Sequence, residues 1–324
     1  MSLKKPAYDF LNELMQKWQQ LQLVPNVFAY KLEVTQSKYL PGKYKFYSEF
    51  NPKRSALRRP PQTILSLDPQ FDEEKFNFKK VAAAEILMKL KFEEDTEISF
   101  IINNSPVTKY NTLICPNVRR GLPQRITLDA LRFCVDFLLS LEGNRQFRIG
   151  YNSPGALASV NHLHLHLMCI EKELYIDHAK LQHLSDPDIY RLDPSMPTEA
   201  ICFMIDTHDS KTKIELKLNE LYKFLIWLCD NNIPYNVFMT PVLPEKHAVQ
   251  QKLKVFVYAR AQHCIVKQLN NINLGFCELS GFVPVGANDL YNNLTELDII
   301  TKITNETGQV FNKIYKYFKH NKLS

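Results

Sequence analysis

The densest concentration of reactive side chains is the run NHLHLH at residues 161–166, which holds three of the nine histidines. Apolar residues follow directly at positions 167–170, and the alternation predicts a β-strand over residues 160–170. Because side chains alternate between the two faces of a strand, His162, His164 and His166 are expected on one face and the leucines on the other. A row of imidazoles makes poor core packing, so the pattern indicates a chemical site.

Metal binding is one interpretation of this row, because catalytic zinc is often bound by three neutral imidazoles. Alternate positions, however, spread the three rings over about 13 Å of strand, too far for all of them to reach one ion at about 2.1 Å. Neither an HExxH motif nor a CxxC pair completes a metal site. We therefore favour phosphorus chemistry, in which the central imidazole attacks a phosphate without any cofactor; a zinc site and structural coincidence remain the alternatives.

Two neighbouring segments could supply groups that bind phosphate. The polar segment GYNSPGALAS, residues 150–159, leads straight into the histidines and carries amides and hydroxyls, although NSPG is also an ordinary β-turn. Upstream, Lys53, Arg54, Arg58 and Arg59 precede two prolines. This basic stretch is either a solvated loop or a contact for phosphate or base, since arginine offers a planar bidentate fork.

Composition limits the classes of protein that remain. The 324 residues are 45% hydrophobic and 23% charged, which is typical of one large or two modest globular domains. Nine glycines, none in GxGxxG or GxxxxGK[ST], argue against a dinucleotide fold or a P-loop. A net charge of +6 suits an anionic small molecule and is too small to indicate nucleic-acid binding.

Cellular setting can also be predicted from the sequence. No apolar stretch is long enough to cross a membrane, and the N-terminus lacks a signal-peptide core. Seven cysteines, an odd number with no CxxC pair, favour a reducing compartment. We expect a cytoplasmic protein without a membrane partner.

The elements that must position the histidines form a short series. An amphipathic helix is predicted to end before Pro25. It is followed by predicted strands at 98–102 and 112–115, a helix capped by Thr127, and a strand at 147–151 that precedes the histidine strand. A similar series follows: strands at 200–205, 235–239, 255–258 and 277–285, with a helix through 218–228. Residues 294–324 predict one or two further amphipathic helices. The second series is interpreted as a degenerate copy of the first.

Eight motifs, in order and at about the expected spacing over residues 40–290, resemble the GDP-D-glucose and GDP-L-galactose phosphorylase branch of the histidine triad superfamily. The motifs are PGKYKF, RRPPQTI, FDEEKFNFKKV, IINNSP, GLPQRI, GYNSPGALASVNHLHLH, NNIPYNVFMT and CELSGFVPV. The resemblance implies an α+β fold of two histidine-triad-like halves, each a mainly antiparallel sheet with helices, as in galactose-1-phosphate uridylyltransferase. On this basis residues 1–80 form an N-terminal helix and basic arm, 81–185 the catalytic half, and 186–324 a degenerate half with a C-terminal helix.

The resemblance also implies a reaction, GDP-glucose plus phosphate giving GDP and glucose 1-phosphate, and a set of residue roles. His164 resembles the nucleophile that becomes guanylylated, His166 the position that contacts the scissile phosphate or leaving oxygen, and His162 the support of the nucleophile's ring. Asn152 and Ser159 match phosphate-contacting positions, and Asn103 matches a ribose-contacting position. Further positive charge at the phosphate could come from Arg58, Arg59 or Arg125.

Four positions depart from the pattern of the resembled family. Tyr110 and Asn111 stand where a Gly-His pair is usual, Phe282 stands where a histidine is usual, and Leu167-Met168 and Glu49 replace a glycine and a glutamine. These departures motivate a second hypothesis, a nucleotide-binding or protein-interaction module that has lost turnover.

Overall fold

The computed structural model describes residues 7–141, 144–242, 252–265, 267–268 and 271–320. Its strands, in chain order, are β1 (Gln36–Tyr39), β2 (Tyr47–Phe50), β3 (Ile86–Phe92), β4 (Thr96–Ile102), β5 (Thr112–Pro116), β6 (Phe147–Asn152), β7 (Leu165–Cys169), β8 (Leu181–Ser185), β9 (Ile189–Leu192), β10 (Ile201–Asp206), β11 (Tyr235–Pro241), β12 (Lys252–Ala259) and β13 (Phe282–Val285). Its helices are α1 (Ala7–Leu21), α2 (Pro52–Leu57), α3 (Leu128–Ser140), α4 (Lys211–Asp230), α5 (Phe276–Leu279), α6 (Asn288–Asn293), α7 (Glu296–Thr307) and α8 (Phe311–His320).

A single ten-stranded sheet, with the order β3-β4-β5-β7-β6-β11-β12-β10-β9-β8, runs through the molecule. All neighbouring strands in it pair antiparallel. A second sheet, β1-β2-β13, has three strands, of which β13 runs parallel to β2. The sequence-based prediction of an α+β fold built on mainly antiparallel sheet is therefore confirmed.

The large sheet is buried on both faces. Buried apolar side chains of α1, α3, α4 and α8 pack in one core against one face. The opposite face packs in a second core against the small sheet and against α5, α6 and α7. Along β7, Leu165 and Leu167 belong to the first core and Met168 to the second, so His166 lies on the side of the small sheet.

Strand order within the large sheet repeats. The strands β3, β4 and β5 are followed by α3 and then by β6 and β7, which are placed in the order 3-4-5-7-6. The strands β8, β9 and β10 are followed by α4 and then by β11 and β12, in the mirrored order 11-12-10-9-8. The two sets of five strands meet where β6 pairs with β11, from Asn152 opposite Asn236 to Ile149 opposite Met239.

Most of the predicted elements are confirmed. The first helix ends at Leu21, the strands at 96–102 and 112–116 pair with each other, and Thr127 caps α3 by accepting a hydrogen bond from the amide of Ala130. The helix α4 and the strands β6, β10, β11 and β12 lie where the apolar periodicity places them, and the tail forms α7 and α8. Within the described ranges, no helix is long and apolar enough to span a bilayer.

The predicted strand over residues 160–170 is wrong in its first half, because regular pairing begins only at Leu165. Upstream, the amide of Leu163 donates to the carbonyl of Leu122 at 2.9 Å, and the amide of His164 donates to the Gln124 side chain at 2.9 Å. A loop and a side chain thus occupy the backbone groups that a neighbouring strand would have used. His162 and His164 consequently lie in an irregular segment, and only His166 lies on the strand.

The predicted strand over residues 277–285 is also corrected. Its first part forms the short helix α5, in which the Glu278 carboxylate accepts a hydrogen bond from the Gly275 amide at 2.8 Å. Gly281 then turns the chain at a φ of +105°, a conformation that favours glycine, and β13 begins at Phe282. Periodicity cannot detect a one-turn helix that depends on a side-chain cap.

Candidate active site

Gln124 holds the histidine segment against the end of β6. Its buried side chain donates from Nε2 to the carbonyls of Asn152 and His164, both at 3.1 Å, and accepts the His164 amide on Oε1. The Gln124 side chain therefore replaces the backbone hydrogen bonds that two paired strands would make between these segments. Sequence reasoning missed Gln124, because a lone neutral glutamine in a loop carries no signal of this role.

The ring of His164 is held in one tautomer. Its Nδ1 lies 2.7 Å from the carbonyl oxygen of His162, which can only accept, so Nδ1 carries the proton and Nε2 keeps its lone pair. Burial lowers the pKa of His164 from 6.5 to about 4. The ring is therefore neutral near pH 7 and is nucleophilic through Nε2.

His162 supports that arrangement through its backbone rather than its ring. The ring packs edge-on against Phe71 and beside Phe78, and Nδ1 accepts the Phe78 amide at 3.0 Å. Burial, followed by the nearby Lys79 charge, lowers the pKa of His162 to about 4. The side chain thus ties the segment that carries His164 to the 3₁₀ helix Phe78–Lys80.

His166 lies between His164 and the helix α5. Its ring centroid is 5.1 Å from that of His164 and 5.4 Å from that of Phe276. Burial, the His164 ring and Lys267 hold the pKa of His166 well below its usual range. Gly150 pairs with His166 in the sheet, and a Cβ at Gly150 would lie 2.1 Å from the Phe276 ring, so only glycine leaves room for this packing.

His166 opens into a cleft in which cationic side chains outnumber anionic ones. Arg54, Arg58, Arg59 and Lys267 line it, opposed by Glu85 and Glu278. The Arg59 guanidinium stacks 3.7 Å from the ring centroid of Phe76, another lining residue. Such a surface is complementary to a polyanion that also carries an aromatic or apolar group.

Asn152, Ser159 and Asn103 line the same cleft. The Oδ1 atom of Asn152 accepts hydrogen bonds from Asn236 and from the Phe276 amide, which turns the Nδ2 amino group toward the cleft. Asn103 instead donates from Nδ2 to Asn111 at 2.8 Å and accepts the Ser105 amide on Oδ1. The structure therefore brings together eight of the nine predicted site residues, with His164 and His162 behind His166.

Arg125 is the predicted site residue that the structure does not bring to this cleft. Its guanidinium lies 3.4 Å from Asp68 and 4.0 Å from Asp230, and its side chain is about a third exposed. Its neighbour Gln124 reaches the histidines, whereas Arg125 points to a different surface.

Lys267 and Glu278 are cleft residues that sequence reasoning did not assign. Burial, and then repulsion by Arg58 and Arg54, lowers the pKa of Lys267 to about 8. Burial raises the pKa of Glu278 to about 7, against the pull of its backbone hydrogen bonds and Lys267. Isolated acidic and basic residues in irregular sequence give no signal, since only the fold carries them to the histidines.

The departures from the family pattern lie outside the cleft, apart from Met168. Glu49, Tyr110 and Phe282 line a second cavity beside α1. Asn111 is fully buried and donates from its side chain to the Leu167 carbonyl at 3.0 Å, so it joins the loop after β4 to the histidine strand. The positions that motivated an inactive protein therefore do not remove a group from the row of histidines.

In the parts of the chain that the structure describes, no three His, Cys, Asp or Glu side chains are grouped so that they could hold a metal ion. Two ring nitrogens of the three histidines are engaged elsewhere: Nδ1 of His162 accepts the Phe78 amide, and Nδ1 of His164 donates to the His162 carbonyl.

Comparison with solved structures identifies the fold. Yeast Ap4A phosphorylase Apa2 superposes with a TM-score of 0.64 at 19% identity, covering 92% of this chain and 94% of that one. The same yeast enzyme in complex with Ap4A gives a TM-score of 0.63 at 16% identity, over 92% and 97% of the two chains.

Comparison of sequences identifies the family. A family model described as "GDPGP1-like, N-terminal domain" matches residues 9–168. Human GDP-D-glucose phosphorylase 1 is 32% identical over 310 residues, which cover 92% of this chain and 79% of the human protein. The zebrafish (Danio rerio) protein of the same name is 32% identical over 90% of this chain and 86% of its own length. Arabidopsis thaliana GDP-L-galactose phosphorylase 1 is 27% identical over 77% of this chain and 61% of its own.

The fold thus places this chain in the same structural class as yeast Ap4A phosphorylase Apa2. Within that class, the chain belongs to the GDP-D-glucose phosphorylase family, as its identity to the human and zebrafish relatives over most of both chains shows.

Acid should destabilise the protein through the buried histidines. The unfolded chain protonates His162 and His164 as the pH falls through about 6.5, whereas the folded chain resists protonation until about pH 4. The free energy of unfolding should therefore drop by on the order of 2 kcal/mol for each ring between pH 7 and pH 5. Urea unfolding at the two pH values measures the drop.

The variant His162→Asn, whose Oδ1 can replace the acceptor Nδ1, should show a smaller drop, and the exposed His178→Asn should show the full drop. An unchanged drop in His162→Asn would mean that this ring is not held neutral.

Gly150→Ala should destabilise the protein by about 1–3 kcal/mol, because the new methyl group meets the Phe276 ring. In a Phe276→Ala background the same substitution should cost much less, and urea unfolding of the four proteins measures the coupling. Additive effects would show that the two positions do not interact.

Proposed function

We propose that this chain catalyses the phosphorolysis of GDP-D-glucose to GDP and glucose 1-phosphate by double displacement. In the first step, Nε2 of His164 attacks the α-phosphorus and forms a P–N bond while the bond to the bridging oxygen breaks, releasing glucose 1-phosphate. In the second step, an oxygen of inorganic phosphate attacks the same phosphorus, the P–N bond breaks, and GDP leaves. No cofactor is needed, because the imidazole is both nucleophile and leaving group.

The observation that carries this proposal is the hydrogen bond from Nδ1 of His164 to the His162 carbonyl. It leaves Nε2 unprotonated in a buried neutral ring beside a cationic cleft, within a chain of the GDP-D-glucose phosphorylase family. The same carbonyl favours the proton on Nδ1 after the phosphoryl group is attached, so it stabilises the cationic ring of the intermediate.

The remaining roles follow from position. We propose that Asn152 and Ser159 hold phosphate oxygens, that Asn103 contacts the ribose, and that His166 contacts the scissile phosphate or the leaving oxygen. Arg58, Arg59, Arg54 and Lys267 would balance the charge of the nucleotide diphosphate and the attacking phosphate. Arg125, which pairs with Asp68, is not included.

We further propose that the two sets of five strands are histidine-triad-like halves related to each other, as in galactose-1-phosphate uridylyltransferase. The repeated connectivity supports this, with α3 and α4 in equivalent places. Residues 81–185 would be the catalytic half and 186–324 the degenerate half; the pairing of β8 with β9 favours a boundary nearer residue 180. The cytoplasm is the proposed location, which seven free cysteines support.

His164→Ala should abolish turnover, lowering kcat by roughly 10⁴- to 10⁶-fold, because the attacking atom is removed. GDP and glucose 1-phosphate are quantified after incubation with GDP-glucose, with and without phosphate. Without phosphate, intact-mass spectrometry should detect a guanylyl group on the wild-type chain and none on His164→Ala. His178→Ala, at an exposed histidine paired with Glu173, is the matched control.

Substantial GDP formation by His164→Ala would reject His164 as nucleophile. A wild-type chain that is stabilised by GDP but never consumes GDP-hexoses would instead be a nucleotide-binding module.

Arg58→Ala should lower kcat/KM for GDP-glucose by about 10- to 100-fold, the effect of losing one charge-assisted hydrogen bond. Arg125→Ala should leave kcat/KM within about twofold of the wild-type value, because surface ion pairs contribute little. Equal losses in the two variants would place the nucleotide outside the described cleft.

A further inference from the structure

A buried chain of hydrogen bonds connects Asn152 in the cleft to the helix α7. From the site outward it runs through Asn236 on β11, Arg260 after β12 and Glu306 on α7. We propose that Arg260 and Asn236 are positioning residues that fix the orientation of the Asn152 amide for the phosphate of the substrate. This inference rests on the proposed function and extends it to residues that do not contact substrate.

The first connection decides which end of Asn152 faces the cleft. Nδ2 of Asn236 donates to Oδ1 of Asn152 at 2.7 Å, and the amide of Phe276 donates to the same oxygen at 3.2 Å. With Oδ1 engaged by two donors, Nδ2 is the atom left to donate toward the cleft. A flipped amide would present an oxygen to a phosphate oxygen, which is repulsive.

The second connection decides the orientation of Asn236. Its Oδ1 accepts from Nη1 of Arg260 at 3.2 Å, and its Nδ2 also donates to the carbonyl of Ala156 at 2.9 Å. The two ends of a side-chain amide have almost the same shape, so packing alone cannot choose between them. Arg260 can only donate and the Ala156 carbonyl can only accept, so together they hold the oxygen of Asn236 toward Arg260 and its amino group toward Asn152.

Arg260 is itself fully buried and held from several sides. Its guanidinium pairs with Glu306 and donates to the Leu274 carbonyl, and the Cys264 thiol lies 3.2 Å from Nη2. Because guanidinium groups do not lose their protons in proteins, the direction of donation along the chain does not change with pH. Arg260 also anchors the backbone two residues before Phe276, whose amide is the other donor to Asn152.

The buried ion pair between Arg260 and Glu306 is not explained by stability alone. An isolated buried ion pair contributes little net stability, because desolvation offsets the attraction. The geometry does support a role in orienting a phosphate-binding donor. Each link has a defined donor and acceptor, and the chain ends at Asn152, which lines the cleft.

Asn236→Asp tests the proposal, since aspartate keeps the shape and the contact with Arg260 but cannot donate to Asn152. We expect kcat for phosphorolysis of GDP-glucose to fall about 100-fold, with a smaller change in KM, as happens when a donor to transition-state charge is lost. The melting temperature should fall as well, because the carboxylate cannot donate to the Ala156 carbonyl, and the control variant Ile303→Ala separates that loss of stability from the loss of kcat.

The double variant Asn152→Ala/Asn236→Asp should be no slower than Asn152→Ala alone, because Asn236 is proposed to act only through Asn152. Arg260→Lys, which keeps a permanent donor, should retain more activity than Arg260→Met. The control Ile303→Ala, in the core beneath the same helix α7, should lower the melting temperature without lowering kcat.

Multiplicative losses in the double variant, or an active Asn236→Asp, would overturn this inference while leaving phosphorolysis by the wild-type protein intact. A wild-type protein that fails to convert GDP-glucose with phosphate would overturn the proposed function first, and the positioning role with it.

Discussion

The hydrogen bond between Nδ1 of His164 and the carbonyl of His162 is the constraint on which the chemistry of this site depends. It selects one tautomer and aims the other ring nitrogen away from the backbone. The bond exists only because the segment before β7 is irregular; on a regular strand the carbonyl of His162 would point toward a neighbouring strand. Gln124 compensates for the missing strand pairing, because its side chain hydrogen-bonds both the amide and the carbonyl of His164.

Burial then sets the electrostatics of the row. Three adjacent imidazoles would repel one another if charged, and the low-dielectric surroundings lower the pKa of each, so the folded protein keeps them neutral. Positive charge is supplied instead by arginines and Lys267, which line the cleft. A neutral imidazole beside a cationic cleft suits attack on a phosphate, because a protonated imidazole has no lone pair to offer.

Residues from both halves of the chain form the site. The histidines and Asn152 lie on or beside β6 and β7, whereas Asn236, Arg260 and Phe276 come from later elements that reach the site because β11 pairs with β6. Residues from both halves of the chain therefore line one cleft.

Apolar periodicity and local motifs act over short distances, and they sufficed to predict the histidine row and the order of most helices and strands. Of the nine residues predicted for the site, eight lie at the cleft or directly behind it. Tertiary structure decided what short-range patterns cannot encode: where the histidine strand begins, that Arg125 turns away to Asp68, and that Lys267, Glu278 and Gln124 join the site. It also decided which nitrogen of His164 is free, because that depends on a carbonyl placed by loop contacts. All of these features depend on contacts between segments that are distant in the sequence. A buried polar group must form a hydrogen bond with whichever partner the fold brings within reach, and local sequence patterns do not specify that partner.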